Sequence, residues 1–287
     1  MFGELIIREN GTLSIDDAGD DGIAALGLLT NEGTITIRNC DEGISARDTL
    51  TNDGTILIME CRDGIRMGGT SPLVTNRSNI EIYGAERHGV LGNVGYLQNE
   101  GTLTIESAMW GLVFTTSTTA NFSTASKITI NNTTAEGLGS RHNAVITNAG
   151  DIIIDEFGAE GINLYGSIIN SGKIVLTQDV TNGIGVRIDS FACCSTAYLG
   201  SLTNTPTGVI QIDHAATGLI METSTTLMDQ GEIAITNSVA GFQIEPRGSA
   251  TMTSGAEMTI ESTSQPIRVK LEATFDVQAG AELTAND

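Results

Sequence analysis

The sequence predicts an all-β chain: a right-handed parallel β-helix of about eleven coils, each with three short strands. Three recurring marks predict it. The first is the heptad Asn-x-Gly-Thr-Ile-x-Ile, seen as NEGTITI at 31–37, NDGTILI at 52–58 and NEGTLTI at 99–105. Looser copies are NRSNIEI (76–82), NAGDIII (148–154), NSGKIVL (170–176) and DQGEIAI (229–235). The second mark is a glycine followed by an apolar residue, five to seven positions after the last aliphatic of the heptad. The third is another apolar segment before the next heptad, as at Leu50, Leu97 and Leu202.

The second aliphatic of the heptad tracks the repeat. It falls at Ile15, Ile37, Ile58, Ile82, Ile105, Ile130, Ile154, Leu176, Ile212, Ile235, Ile260 and, with a looser fit, Leu283. Successive spacings are 21 to 25 residues, apart from 36 between Leu176 and Ile212. That interval holds an insertion at about 187–200, the expected protruding loop of a single domain spanning 1–287. Ile-x-Ile has the period of a strand, so both aliphatics face one side. A single strand cannot bury that face, but stacking at ~4.8 Å per coil builds a continuous aliphatic core. Ile35/Ile37, Ile56/Ile58 and Ile80/Ile82 are therefore expected to point inward and stack.

Each turn residue has an expected task. The glycines Gly22, Gly43, Gly64, Gly89, Gly111, Gly137, Gly161, Gly183, Gly218 and Gly241 are expected to supply a positive-φ turn. Asn31, Asn52, Asn76 and Asn99 fall in one column and are expected to form an amide ladder.

Composition fits a thin repetitive core: 4% aromatic residues, 17% charged, 40% hydrophobic, and 34 glycines against 4 prolines. The net charge is −21, and the lysines are only Lys127, Lys173 and Lys270. Nucleic acid, anionic membrane surfaces and acidic polysaccharides are poor partners for such a chain. No apolar stretch reaches the ~18 residues of a membrane span, and MFGELIIREN is not a signal peptide. A removed leader, a longer parent chain and an intracellular protein are the alternatives at this point.

The coils resemble the β-helix repeats of large bacterial surface adhesins and of filamentous-haemagglutinin-type exoproteins. The closing TFDVQAGAELTA (274–285) is similar to a terminal coil of Bacteroidota-type secreted proteins, with Leu283 in the place of their phenylalanine. The resemblance implies an extracellular or cell-surface setting. It carries no catalytic residues across, because adhesins, filaments and enzymes share this architecture.

Asp16-Asp17, Asp20-Asp21, Arg87-His88-Gly89 and Arg187-Ile188-Asp189 loosely follow polygalacturonase order. Asp21 and His88 share a column three coils apart, on the order of 14 Å. Paired glycosidase carboxylates sit at ~5–9.5 Å, so no catalytic residue is assigned. Asp21, Glu42 and Asp63 form one column of adjacent coils and are a candidate calcium site. Arg38, Arg47 and Arg62 are the alternative source of positive charge. His88, His142 and His214 lack ligand spacing and read as exposed turn residues. Thr34/Thr36 and Thr102/Thr104 begin a threonine array of the ice-binding kind. Asn79/Glu81, Asp151/Ile153 and Lys173/Val175 break it, and ordinary β propensity explains the threonines.

Cys40 and Cys61 each follow the tracking isoleucine by three residues, so they should stack within disulfide range. Cys193 and Cys194 are neighbours in the insertion. An even count with a stacked pair points to an oxidising, extracytoplasmic setting.

No cap is recognisable at either end of the repeat. The expectation is a non-enzymatic structural or adhesive protein of the bacterial surface or of an extracellular filament. Its partners would be further copies, by end-to-end or lateral contact, and surface glycans. The alternatives are a polysaccharide-active lyase or glycosidase and a carbohydrate-binding module.

Overall fold

The computed structural model describes residues 3–193 and 196–286, and every regular element among them is a strand. Parallel strands stack as a β-solenoid of about eleven turns. One coil consists of Thr34–Arg38, Glu42–Ala46 and Thr49–Asn52. Each of these pairs in parallel with the corresponding strand of the next coil, giving three walls. In later coils the first two strands run together, as in Lys173–Ile188 and Val209–Met221.

The aliphatic pattern does what its period requires. Ile35, Ile37, Ile56, Ile58, Ile80 and Ile82 are all at most 2% exposed. Ile37 stacks on Ile58, and Ile58 on Ile82. Phe114, Phe122 and Phe242 are the largest side chains fully buried in the same core.

Of the ten turn glycines expected to have positive φ, Gly183 does, at 65°, and the other nine have a different role. None of the stacked glycines has positive φ. What they supply is close approach. A Cβ on Gly64 would lie 2.5 Å from the carbonyl oxygen of Gly89 and 2.7 Å from Cγ2 of Ile82. Gly22, Gly43, Gly111, Gly137 and Gly218 meet the same two neighbours one coil on. The member of this column after Gly161 is Gly185, not Gly183, because Ile162 pairs with Val186. The left-handed corner falls earlier, two residues after the tracking isoleucine. Asn39, Glu60, Ser107 and Asn132 occupy it with φ of 52° to 60°, and Gly84 takes it in one coil. The chain turns as it leaves the first wall; the glycine then lets the second wall lie against the first.

Two positions correct the register. Leu283 pairs with Met258, so Ala285 is the residue aligned with Ile260. The insertion starts after Ile188, which is still in register with Leu164. It is an antiparallel hairpin of Ser190–Cys193 and Thr196–Leu199, closed where Gly200 donates to the Asp189 carbonyl. Cys194 lies outside the described residues.

The amide ladder forms. Asn31 donates to Asn52, Asn52 to Asn76 and Asn76 to Asn99, at 2.7–2.8 Å. Asn99 donates to the Ser126 hydroxyl, where Phe122 takes the column position. A second run joins Asn148, Asn170, Asn204 and Asp229 at 2.9 Å. Every one of these polar residues is buried, which is affordable only because each amide is hydrogen-bonded.

At the two ends of the stack, Leu5–Ile7 pairs only with Leu29–Asn31, and Glu282–Asn286 only with Glu257–Val269, among the described residues. No described helix covers either strand.

Two outcomes follow from this packing. Gly64→Ala is expected to cost about 1–3 kcal/mol, since the added methyl meets backbone as well as a side chain. Chemical denaturation of the purified variant measures it, and an unchanged midpoint would contradict the close-approach role. The second outcome concerns Asp229, which is fully buried with Oδ2 unpartnered. Burial pushes its carboxyl up to about 6, against the opposing hydrogen bonds from Asn204 and Gly231. Between pH ~4 and 6 the folded chain therefore holds a proton that the unfolded chain has lost. Stability falls as pH rises through that window and stays lower above it. Asp229→Asn restores a donor and is expected to gain about 2 kcal/mol at pH 7–8 and little at pH 4. Thermal melts at the two pH values distinguish these.

Candidate functional site

The second wall carries the charged chemistry. The residue just before each turn glycine falls in one outward column: Asp21, Glu42, Asp63, His88, Trp110, Glu136 and Glu160. Such a column of carboxylates at strand spacing is repulsive unless cations stand beside it.

The protein supplies those cations itself. Arg66 pairs with Glu42. Asp63 is fully buried and accepts from His88 Nδ1 at 2.7 Å and from the His88 backbone N–H at 3.2 Å. Arg62 and Arg87 each approach it at 3.7 Å. Burial pushes the Asp63 carboxyl up, but the bonds and charge of His88, with Arg87, outweigh it and hold the group below the usual range. Asp21 stands differently. Burial, Glu42 and Asp20 raise its pKa, with Arg47 and Ser45 opposing them. Of the three expected calcium ligands, Asp21 and Glu42 face one another, whereas Asp63 is turned to His88. No group of three or more metal-ligating side chains with suitable geometry occurs among the described residues. Of the expected cations Arg47 and Arg62 take part. Arg38 lies on the first wall, paired with Asp16 and Met59.

His88 is not the exposed turn residue expected. It is 9% exposed and stacks on Trp110, ring centres 4.9 Å apart. His214 is the surface type, bonded to Asp213 at 2.8 Å. Asp16 and Asp17 accept from Asn39, a turn arrangement. Cys40 and Cys61 form a disulfide across adjacent coils with Cα atoms 4.6 Å apart.

The far end of the column went unrecognised in the sequence. Glu136 is held by Arg141 and by Asn163, whose Nδ2 donates at 3.2 Å. Glu160 meets Arg187 at 3.3 Å, and Arg187 also reaches Glu222 at 3.0 Å. Burial and then Glu136 raise the Glu160 pKa. Beside these pairs the hairpin encloses a cleft of about 250 Å³ lined by Arg141, His142, Tyr165 and Phe191. The repeat already placed Glu136 and Glu160 before Gly137 and Gly161, so the column was extendable from the sequence. The aromatic lining was not, because it depends on how the hairpin folds back.

The third wall is the opposite of the second. Its outward residues run Thr30, Thr51, Thr75, Gln98, Asn121, Thr147, Ile169, Thr203, Met228 and Thr251 in register. Beside them run Thr49, Leu73, Tyr96, Thr119, Val145, Ser167, Ser201, Thr226 and Ser249. None of these residues is charged; Asp276 follows Thr251 in the first column, and Asp53, Arg77 and Glu100 stand at the edge of the wall, paired with one another.

The chain matches no protein family, no curated protein and no solved structure in comparison with known proteins.

The stacked disulfide carries its own test. It closes a loop across a sequence separation of 21, which corresponds to about 3 kcal/mol through the unfolded state. Cys40→Ser/Cys61→Ser is expected to lower the melting temperature by several degrees. Free-thiol titration of the native protein should find both cysteines blocked.

Proposed function

We propose that this chain is a non-enzymatic structural and adhesive protein of the bacterial surface or an extracellular filament, a stiff rod that associates side by side with further copies. The uncharged third wall carries the reading. With a net charge of −21, two copies repel on approach. The third wall is where they meet without pairing like charges. Its nine coil steps span roughly 43 Å, and four residues of strand span roughly 13 Å. That is on the order of 600 Å² per copy, the lower edge of specific interfaces. Threonine, serine and scattered aliphatics in register on a parallel sheet suit a repeating contact. The Cys40–Cys61 disulfide supports an extracytoplasmic setting. Calcium at Asp21 and Glu42 would act by lowering the repulsion between rods.

A polysaccharide-active enzyme is the second reading. Glu136 and Glu160, in register on adjacent coils with the Glu160 pKa raised, are the observation that favours it. Release of reducing ends from neutral polysaccharides, lost in Glu160→Gln, would establish that activity.

Sedimentation and electron microscopy test the assembly. The wild-type chain is expected to associate, more strongly at 0.5 M salt or with calcium than at low salt. Thr147→Glu/Thr203→Glu, which changes only outward residues, should be monomeric with an unchanged circular dichroism spectrum. A wild-type protein that stays monomeric under all these conditions, or a variant that assembles as well as wild type, defeats the reading.

A further inference from the structure

The hairpin after Ile188 is where the chain leaves its coil path among the described residues, and it returns in register at Ser201. What it adds is aromatic surface. In a chain with 4% aromatic residues, Phe191 and Tyr198 both sit on this hairpin, against Tyr165 and His142 of the wall. Phe191 meets Tyr165 at 6.0 Å, nearly perpendicular, and Tyr198 meets His142 at 4.6 Å. Phe191 remains 44% exposed, so its ring is not spent on the core.

The polar side of the cleft has a definite character. Arg141 lies over the Tyr165 ring at 4.9 Å and binds Glu136. Asp189 accepts a hydrogen bond from Tyr165 and one from the Ser190 backbone N–H. Asn163, 4% exposed, gives its Nδ2 to Glu136 and leaves its Oδ1 unpartnered. Carboxylates and a guanidinium stand next to the exposed Phe191 ring, while the local carboxylates Glu136, Glu160, Glu222 and Asp189 outnumber Arg141 and Arg187.

We infer that this cleft is a binding site for a neutral glycan, seating one sugar ring on the exposed face of Phe191 with Tyr165 at its side. A pyranose has an apolar C–H face, which stacks on an aromatic ring. Its rim of hydroxyls both donates and accepts, which matches carboxylates and a guanidinium held in place by one another. A purely apolar ligand would strip water from those groups and return no hydrogen bond, at a cost. A uronate or sulfated sugar would meet the excess of carboxylates. The cleft lies at the corner between the second and third walls, so it goes beyond the assembly reading and stands whether or not the rods associate.

The test is binding of the full chain to immobilised neutral gluco-, galacto- and manno-oligosaccharides, with polygalacturonate as the acidic probe. At least one neutral series is expected to bind saturably. Phe191→Ala and Tyr165→Ala should each weaken it tenfold or more, and in Phe191→Ala the melting temperature should stay put, since that ring lies outside the core. Thr147→Glu/Thr203→Glu should bind like wild type, which separates this site from the assembly surface. No binding to any neutral series, binding indifferent to both aromatic substitutions, or a preference for polygalacturonate would each overturn the assignment.

Discussion

The solenoid depends on one steric fit, the seating of a β-branched side chain from one coil into the gap left by a missing Cβ on the coil before it. Cγ2 of Ile37 sits against Gly22, that of Ile58 against Gly43, and that of Ile82 against Gly64. Each glycine also faces the carbonyl of the next glycine in the column. The contact sets the distance between first and second walls and aligns successive coils at the same time. A valine would offer the same branch but less core volume; an alanine in place of glycine would push the coils apart. With that distance fixed, inward aliphatics meet at van der Waals contact and the buried asparagines come within hydrogen-bond range.

The same alignment decides where charge goes. A residue in strict register meets its own kind, or nearly so, every coil step. Carboxylates survive in the second-wall column because arginines and His88 are interleaved with them. The third wall takes the other solution: its two outward columns are uncharged from Thr30 to Thr251, and the charges stand at its edge. Two faces of one rod thus differ sharply in polarity, although the sequence as a whole is simply acidic.

Much of this was legible from the residues. The heptad fixed strand identity and the inward face of Ile35/Ile37, and fixed repeat length put Cys40 over Cys61 and Asn31 over Asn52. The role of the glycines was legible as a position but not as a cause. A glycine before a strand looks the same whether it supplies a left-handed corner or mere absence of a side chain. Gly183 was mistaken for Gly185 for that reason: both precede an aliphatic, and only the pairing of Ile162 with Val186 separates them. His88 was misjudged because one residue type serves on a surface turn and over a buried carboxylate alike. The aromatic cleft could not be read at all, since nothing periodic says where a hairpin will lie.

The asparagine column has a direction. Each side-chain amide gives its hydrogen to the coil that follows, never to the one before, so the rod has a chemical polarity like that of a zip. The zip is interrupted. Asn99 ends on the Ser126 hydroxyl, and no side-chain bond joins Ser126 to Asn148 among the described residues, where Phe122 plugs the column instead. Polarisation therefore accumulates along two separate runs. Under tension along its axis the rod would behave as two stiff blocks joined at the Phe122 coil, parting there first and leaving each block's own amide chain intact.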